Sequence, residues 1–73
     1  MELIFYKRLS NKEEFLNLIE DLEIALEGPT QKHYYTFGDR HYVEIYEEDG
    51  IHNFEIEYVM EDNIYIIVDI YEN

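Results

Sequence analysis

The apolar residues of this chain switch from helical to strand spacing at Gly28-Pro29. Before that point Phe15, Leu18, Ile19, Leu22, Ala25 and Leu26 recur at helical spacing; beyond it, from His33 onward, apolar and polar residues alternate with a period of two. A helix with one apolar stripe and strands with one apolar face must cover each other to escape water, so one helical segment beside several period-two segments predicts an α+β layer.

The boundaries follow from local signals. Leu3, Ile4, Phe5 and Tyr6, bounded by Lys7 and Arg8, read as a first strand. Ser10 with Glu13 has the spacing of a capping box, placing a helix from about Asn11 to Glu27. Gly28 suits the left-handed position after the helix, and Pro29 stops its continuation. Four strands are expected over His33 to Phe37, Tyr42 to Glu48, Ile51 to Met60 and Ile64 to Tyr71. Asp49-Gly50 is a strong two-residue hairpin signal. Such a turn sets Ile45 opposite Phe54 and Val43 opposite Ile56 on one face, with Glu44 opposite Glu55 and Tyr42 opposite Glu57 on the other. To keep Phe54, Ile56, Tyr58 and Met60 on one face with Ile64, Ile66, Val68 and Ile70, the next connection is expected to be a three-residue loop, Glu61-Asp62-Asn63, with Asn63 left-handed. That register puts Asp69 opposite Glu55. His41 is expected opposite Tyr58 on the packed face, as a hydrogen-bonded core residue.

The expected fold is one domain spanning residues 1–73: a single helix packed on a mainly antiparallel five-stranded sheet, in the order β-α-β-β-β-β. The helix should lie on the even-numbered face of the last two strands, with the first strand beside the last, which is apolar on both faces through Tyr65, Ile66, Ile67 and Val68.

Charge narrows the class of partner. Eighteen Asp and Glu against five Lys and Arg give a formal charge of −13, a single-sign field that opposes compaction. Acidic disordered tails are poor in aromatic residues, whereas this chain has eight Tyr and four Phe to build a core. With no Cys there is neither a disulfide framework nor a thiolate metal site. No apolar run approaches the roughly 20 residues that span a bilayer, and the start of the chain lacks the basic residues of a secretory signal. A cytoplasmic protein is expected, in the host-cell cytoplasm if it is phage-encoded.

The expected register gathers Glu44, Glu55 and Asp69 in one row on the sheet face away from the helix, ringed by Glu57, Tyr42, Tyr46, Tyr65 and Tyr71. Like charges directly opposite one another destabilise a sheet, so stability alone does not select such a row. One reading is a docking surface for a positively charged partner; the plain alternative is a solvated face whose carboxylates splay into water. The helix repeats the pattern, with Glu13, Glu14, Glu20, Asp21, Glu23 and Glu27 outward against Lys12. Glu23 and Glu27 stand near the end whose dipole favours cations.

Catalysis is not expected. There is no Cys, Ser10 is assigned to the cap, and Thr30 and Thr36 lack a recognisable His-acid constellation. Carboxylates on an open sheet lack the cleft that shifts their pKa values. Neither cofactor nor metal is expected, since His33, His41 and His52 lack short ligand spacings and no EF-hand loop is present. The surface charge disfavours direct binding of nucleic acid or an anionic membrane.

The chain therefore reads as an acidic inhibitor or adaptor that occupies the basic groove of a nucleic-acid-binding protein or nuclease. Glu44, Glu55, Asp69, Glu57, Tyr42, Tyr46, Tyr71, Glu20, Glu23 and Glu27 are the candidate contacts. In size, charge and aromatic content it is similar to phage-encoded DNA mimics, including anti-restriction and anti-CRISPR proteins, a likeness of composition that no residue motif carries. Two alternatives stand beside it: a structural homo-oligomer, with a homodimer formed edge to edge or over Tyr65, Ile67 and Tyr71, and a partner of a basic toxin or regulator.

Overall fold

The computed structural model describes residues 2–5, 8–48 and 51–72. Its elements are β1 (Glu2–Phe5), β2 (Arg8–Ser10), α1 (Lys12–Leu26), β3 (Thr30–Phe37), β4 (Arg40–Glu47), β5 (Asn53–Glu61) and β6 (Ile64–Glu72). The sheet order is β1-β6-β5-β4-β3, with β2 also on β6, and every pairing is antiparallel. The class is α+β. No helix among the described residues is long and apolar enough to cross a membrane.

The expected five strands in the order β-α-β-β-β-β are corrected. One helix is followed by a four-stranded antiparallel meander, β3 to β6, and the segment before the helix adds two short strands where one was expected. The physical reason lies in β6. At about 3.3 Å per residue its nine residues extend for roughly 30 Å, whereas the four of β1 cover only about 13 Å of its edge. β2 covers more of it, pairing Arg8, Leu9 and Ser10 with Ile67, Ile66 and Tyr65.

That pairing takes Ser10 out of the cap. Ser10 is buried in β2 and its hydroxyl has no partner. The capping box is built one residue later: the Asn11 side chain accepts from the Glu14 N–H at 2.8 Å, and the Glu14 carboxylate accepts from the Asn11 N–H at 3.1 Å. The other end shifts too, because Glu27, not Gly28, is left-handed, with φ 56° and ψ 49°. A residue preceding proline is pushed to extended backbone, so Pro29 leaves the left-handed position to Glu27.

Phe15, Ile19 and Leu26 of α1 pack on Val43, Ile45, Phe54, Ile56, Tyr58, Ile67 and Ile70. Leu18 and Leu22 flank this cluster, while Ala25 is exposed. The β4–β5 register follows the sequence reading, with Val43↔Ile56, Ile45↔Phe54, Glu44↔Glu55, Tyr42↔Glu57 and His41↔Tyr58. The Asp49-Gly50 turn that motivated it lies outside the described residues. His41 stacks on Tyr58, ring centroids 5.4 Å apart.

The β5–β6 connection differs from the expectation. Glu61 pairs with Ile64, and Asp62 and Asn63 both have positive φ, 50° and 65°, so the loop has two residues and the geometry of a type I′ turn. The phase conflict that argued against so short a loop is resolved by a bulge. Tyr58 pairs with Ile67 but Glu57 pairs with Asp69, leaving Val68 unmatched. Tyr65 and Ile67 before the bulge therefore take the packed face in place of Ile64, Ile66 and Val68, and Ile70, after the bulge, is the member of the expected even-numbered set that stays on it.

Candidate functional site

The face of the sheet away from α1 gathers most of the candidate residues, in a different arrangement. Because of the bulge, Asp69 stands opposite Glu57 and Tyr71 opposite Glu55. The expected row Glu44-Glu55-Asp69 does not form. Two adjacent carboxylate pairs form instead, Glu44 with Glu55 and Glu57 with Asp69, all four half-buried.

Tyrosine hydroxyls hold three of these carboxylates, Glu55, Glu57 and Asp69. Tyr71 donates to Asp69 Oδ2 at 2.7 Å and approaches Glu57 Oε1 at 3.3 Å. Tyr42 reaches Glu57 Oε2 at 3.5 Å, and Tyr35 donates to Glu55 Oε2. Tyr35 also stacks on Tyr42, with centroids 4.9 Å apart and planes 12° from parallel. Tyr46 stands at one end of the face and donates to Gln31 Oε1 at 3.3 Å. Among the described residues the cation on this face is Arg40, whose Nη1 lies 2.6 Å from Glu57 Oε2.

Among the described residues, four carboxylates stand against Arg40, which leaves three negative charges uncompensated. Tyrosine donors orient carboxylates but do not neutralise them. Two unit charges 5 Å apart repel by about 0.8 kcal/mol in water and about 3 kcal/mol at an effective dielectric of 20. Half-buried groups lie between these limits, so the arrangement costs stability. The tyrosines register these bonds and their burial. The bond to Glu55, reinforced by burial, raises the Tyr35 pKa well above the ordinary phenol range, and the bond to Asp69, again with burial, does the same at Tyr71. Burial, then Glu57, raises Tyr42.

The helix candidates do not join this site. Glu20, Glu23 and Glu27 belong to the layer on the opposite side of the sheet. Glu23 is also engaged, accepting from the Thr30 hydroxyl at 2.7 Å and from Lys32 Nζ at 3.1 Å. The Thr30 bond foremost, and Lys32 after it, holds the Glu23 carboxyl below its ordinary pKa. Glu20 and Glu27 are exposed. Tyr65 and Ile67, expected on the open face, face the helix: Tyr65 stacks on Phe15 at 4.3 Å and Ile67 is fully buried. Tyr65 and Ile67 therefore do not share a surface with Tyr71.

Tyr35 and Arg40 were missed. Their signal was present in Gly38-Asp39, a second two-residue hairpin turn that closes Phe37 onto Arg40, with Gly38 at φ 65° as a type II′ turn requires. Extending that register brings Tyr35 opposite Tyr42 and His33 opposite Glu44.

Among the described residues no group of three His, Asp or Glu is placed to hold a metal ion. Surface depressions of about 220, 270 and 300 Å³ lie near the two ends of α1, and the open-face carboxylates line none of these three. Comparison of the chain with protein-family models, with curated proteins and with solved structures finds no match.

Proposed function

We propose that the chain is an acidic binding module whose open sheet face docks into the basic, nucleic-acid-binding groove of another protein and so inhibits or recruits it. The observation that carries this reading is the pair of half-buried carboxylate pairs, three of whose members, Glu55, Glu57 and Asp69, are held by tyrosine hydroxyls, with Arg40 the one cation paired to them among the described residues. Fixed carboxylates can replace backbone phosphates in such a groove and displace the same counterions, and a net charge of −13 steers a basic partner toward the face. Tyr35, Tyr42 and Tyr71 offer aromatic surface to incoming guanidinium groups. Inhibition of a nuclease by DNA mimicry, of the anti-restriction or anti-CRISPR kind, is the specific form proposed. A basic toxin or regulator would satisfy the same charge logic.

The test is capture of a partner on the immobilised chain, with parallel elution by DNA, RNA and concentrated salt. A basic nucleic-acid-binding protein should be retained at low salt and released by nucleic acid. Glu44→Lys combined with Glu55→Lys should weaken its binding at least about tenfold, or 1.4 kcal/mol, and far more than Glu61→Lys with Asp62→Lys at the β5–β6 turn. Equal losses from the two double variants would remove the open face from the reading.

A further inference from the structure

The two edges of the sheet are treated differently. On one side β6 is covered by β1 and β2; on the other, among the described residues, β3 has only β4 beside it. β3 is eight residues long, contains no proline and pairs with β4 without a register shift, so it lacks most of the devices that normally blunt an edge. Seven of its eight residues are exposed, including Tyr34 at 52% and Phe37 at 77%.

Charge says what can approach this edge. β3 carries Lys32 and no Asp or Glu, whereas β4, β5 and β6 each carry at least two acids. Two copies of a chain with charge −13 repel through most of their surface, and β3 is the long strand along which they can meet without opposing carboxylates.

The backbone phase sets the geometry. Phe37 closes the hairpin with Arg40, and the Glu48 N–H donates to the Pro29 carbonyl at 3.0 Å, so odd-numbered positions turn their hydrogen-bonding groups toward β4. The outward groups belong to Thr30, Lys32, Tyr34 and Thr36. In an antiparallel pair of identical strands the two-fold axis must pass through a residue opposite itself. Centring it on Lys32 or Tyr34 engages three of these four residues in each copy; centring it on His33 engages all four, with Thr30 opposite Thr36 and Lys32 opposite Tyr34.

We infer that β3 is the docking edge for β3 of a second copy, paired antiparallel about a two-fold axis at His33. The two sheets then run on into one, with both open faces on the same side and both helices on the other. An edge contact is small compared with the roughly 1,200 Å² of stable interfaces, so the dimer is weak and concentration-dependent. This inference is independent of the proposed docking of a basic partner.

Sedimentation equilibrium, from low micromolar to millimolar chain at two salt concentrations, tests it. The expected result is a mass rising toward twice the 9.0 kDa of the chain, more readily at high salt, because salt screens the repulsion between copies. Tyr34→Pro removes an outward N–H without touching the β3–β4 ladder. His33→Lys sets like charges opposite each other at the axis while leaving Glu44 as a favourable neighbour within each chain. Each variant should raise the dissociation constant at least about tenfold with circular dichroism unchanged. If Tyr34→Pro disturbs the fold, His33→Lys carries the test. A monomer at every concentration, or a dimer indifferent to a folded variant, overturns the inference; a strict monomer would give the edge to a strand of some other protein. Partner capture reads a different contact, so either idea can fail alone.

Discussion

Two faces of the same two strands behave oppositely. On β4 and β5 the residues turned toward α1, Val43, Ile45, Phe54, Ile56 and Tyr58, are buried and all but Tyr58 are aliphatic or phenyl. The residues turned away, Tyr42, Glu44, Glu55 and Glu57, are half-buried acids and a phenol. Alternation of side chains along a strand makes this division possible in a single hairpin. The packed face is built for stability, while the open face spends some of that stability holding charge in fixed positions.

The largest test of this contrast is truncation on each side. Ile56→Ala should destabilise by about 2–5 kcal/mol, a large share of the roughly 4–11 kcal/mol expected for a chain of this length. Glu55→Ala, its neighbour on the other face, should cost far less. Urea unfolding of both variants measures the difference, and similar costs would dissolve the contrast.

Tyr71→Phe removes the hydroxyl shared by Asp69 and Glu57 and should cost about 1 kcal/mol at neutral pH. Its pH dependence has a defined sign. The folded-state pKa of Tyr71 is raised above the ordinary value of 10.0, so the hydroxyl's contribution is fully present below that value and is lost as pH climbs through the folded pKa. Wild type and Tyr71→Phe should therefore differ by a constant amount from neutral pH to about 10 and converge above it. Unfolding midpoints against pH, with phenolate absorbance alongside, provide the readout.

A comparable effect separates two neighbouring residues at the helix start. Asn11→Ala should cost about 1 kcal/mol by opening the capping box. Ser10→Ala should be neutral or stabilising, because it deletes a buried hydroxyl that has no partner. Thermal unfolding of the pair distinguishes this cap from one centred on Ser10. The smallest expected effect is on the open face: Glu44→Gln should stabilise by about 0.5 kcal/mol by relieving its repulsion with Glu55, and less at high salt.

How far the site was legible depended on how sharply each strand distinguishes its faces. Val43-Glu44-Ile45 and Phe54-Glu55-Ile56 alternate without ambiguity, so slipping either strand by one residue would bury carboxylates; the Glu44–Glu55 pair could be placed from the residues alone. Asp69 could not, because its position depends on β6 upstream. Tyr35 and Arg40 need only the Gly38-Asp39 turn, a signal the residues carry. The separation of Glu20, Glu23 and Glu27 from the sheet carboxylates required knowing which face α1 covers.

By itself the sequence determined the α+β class, the single helix, the four-strand meander after Pro29 and the β4–β5 register, because those segments carry one periodicity each and their alternatives expose apolar residues or bury charge. Tertiary structure decided the phase of β6, the two-piece edge cover and the cap at Asn11. From Ile64 to Val68 every residue is apolar or aromatic, so alternation cannot choose between the two phases of that strand. The choice falls to packing: a two-residue turn and a bulge at Val68 bring Ile67 and Ile70 together into the core, and the same bulge moves Asp69 beside Glu57.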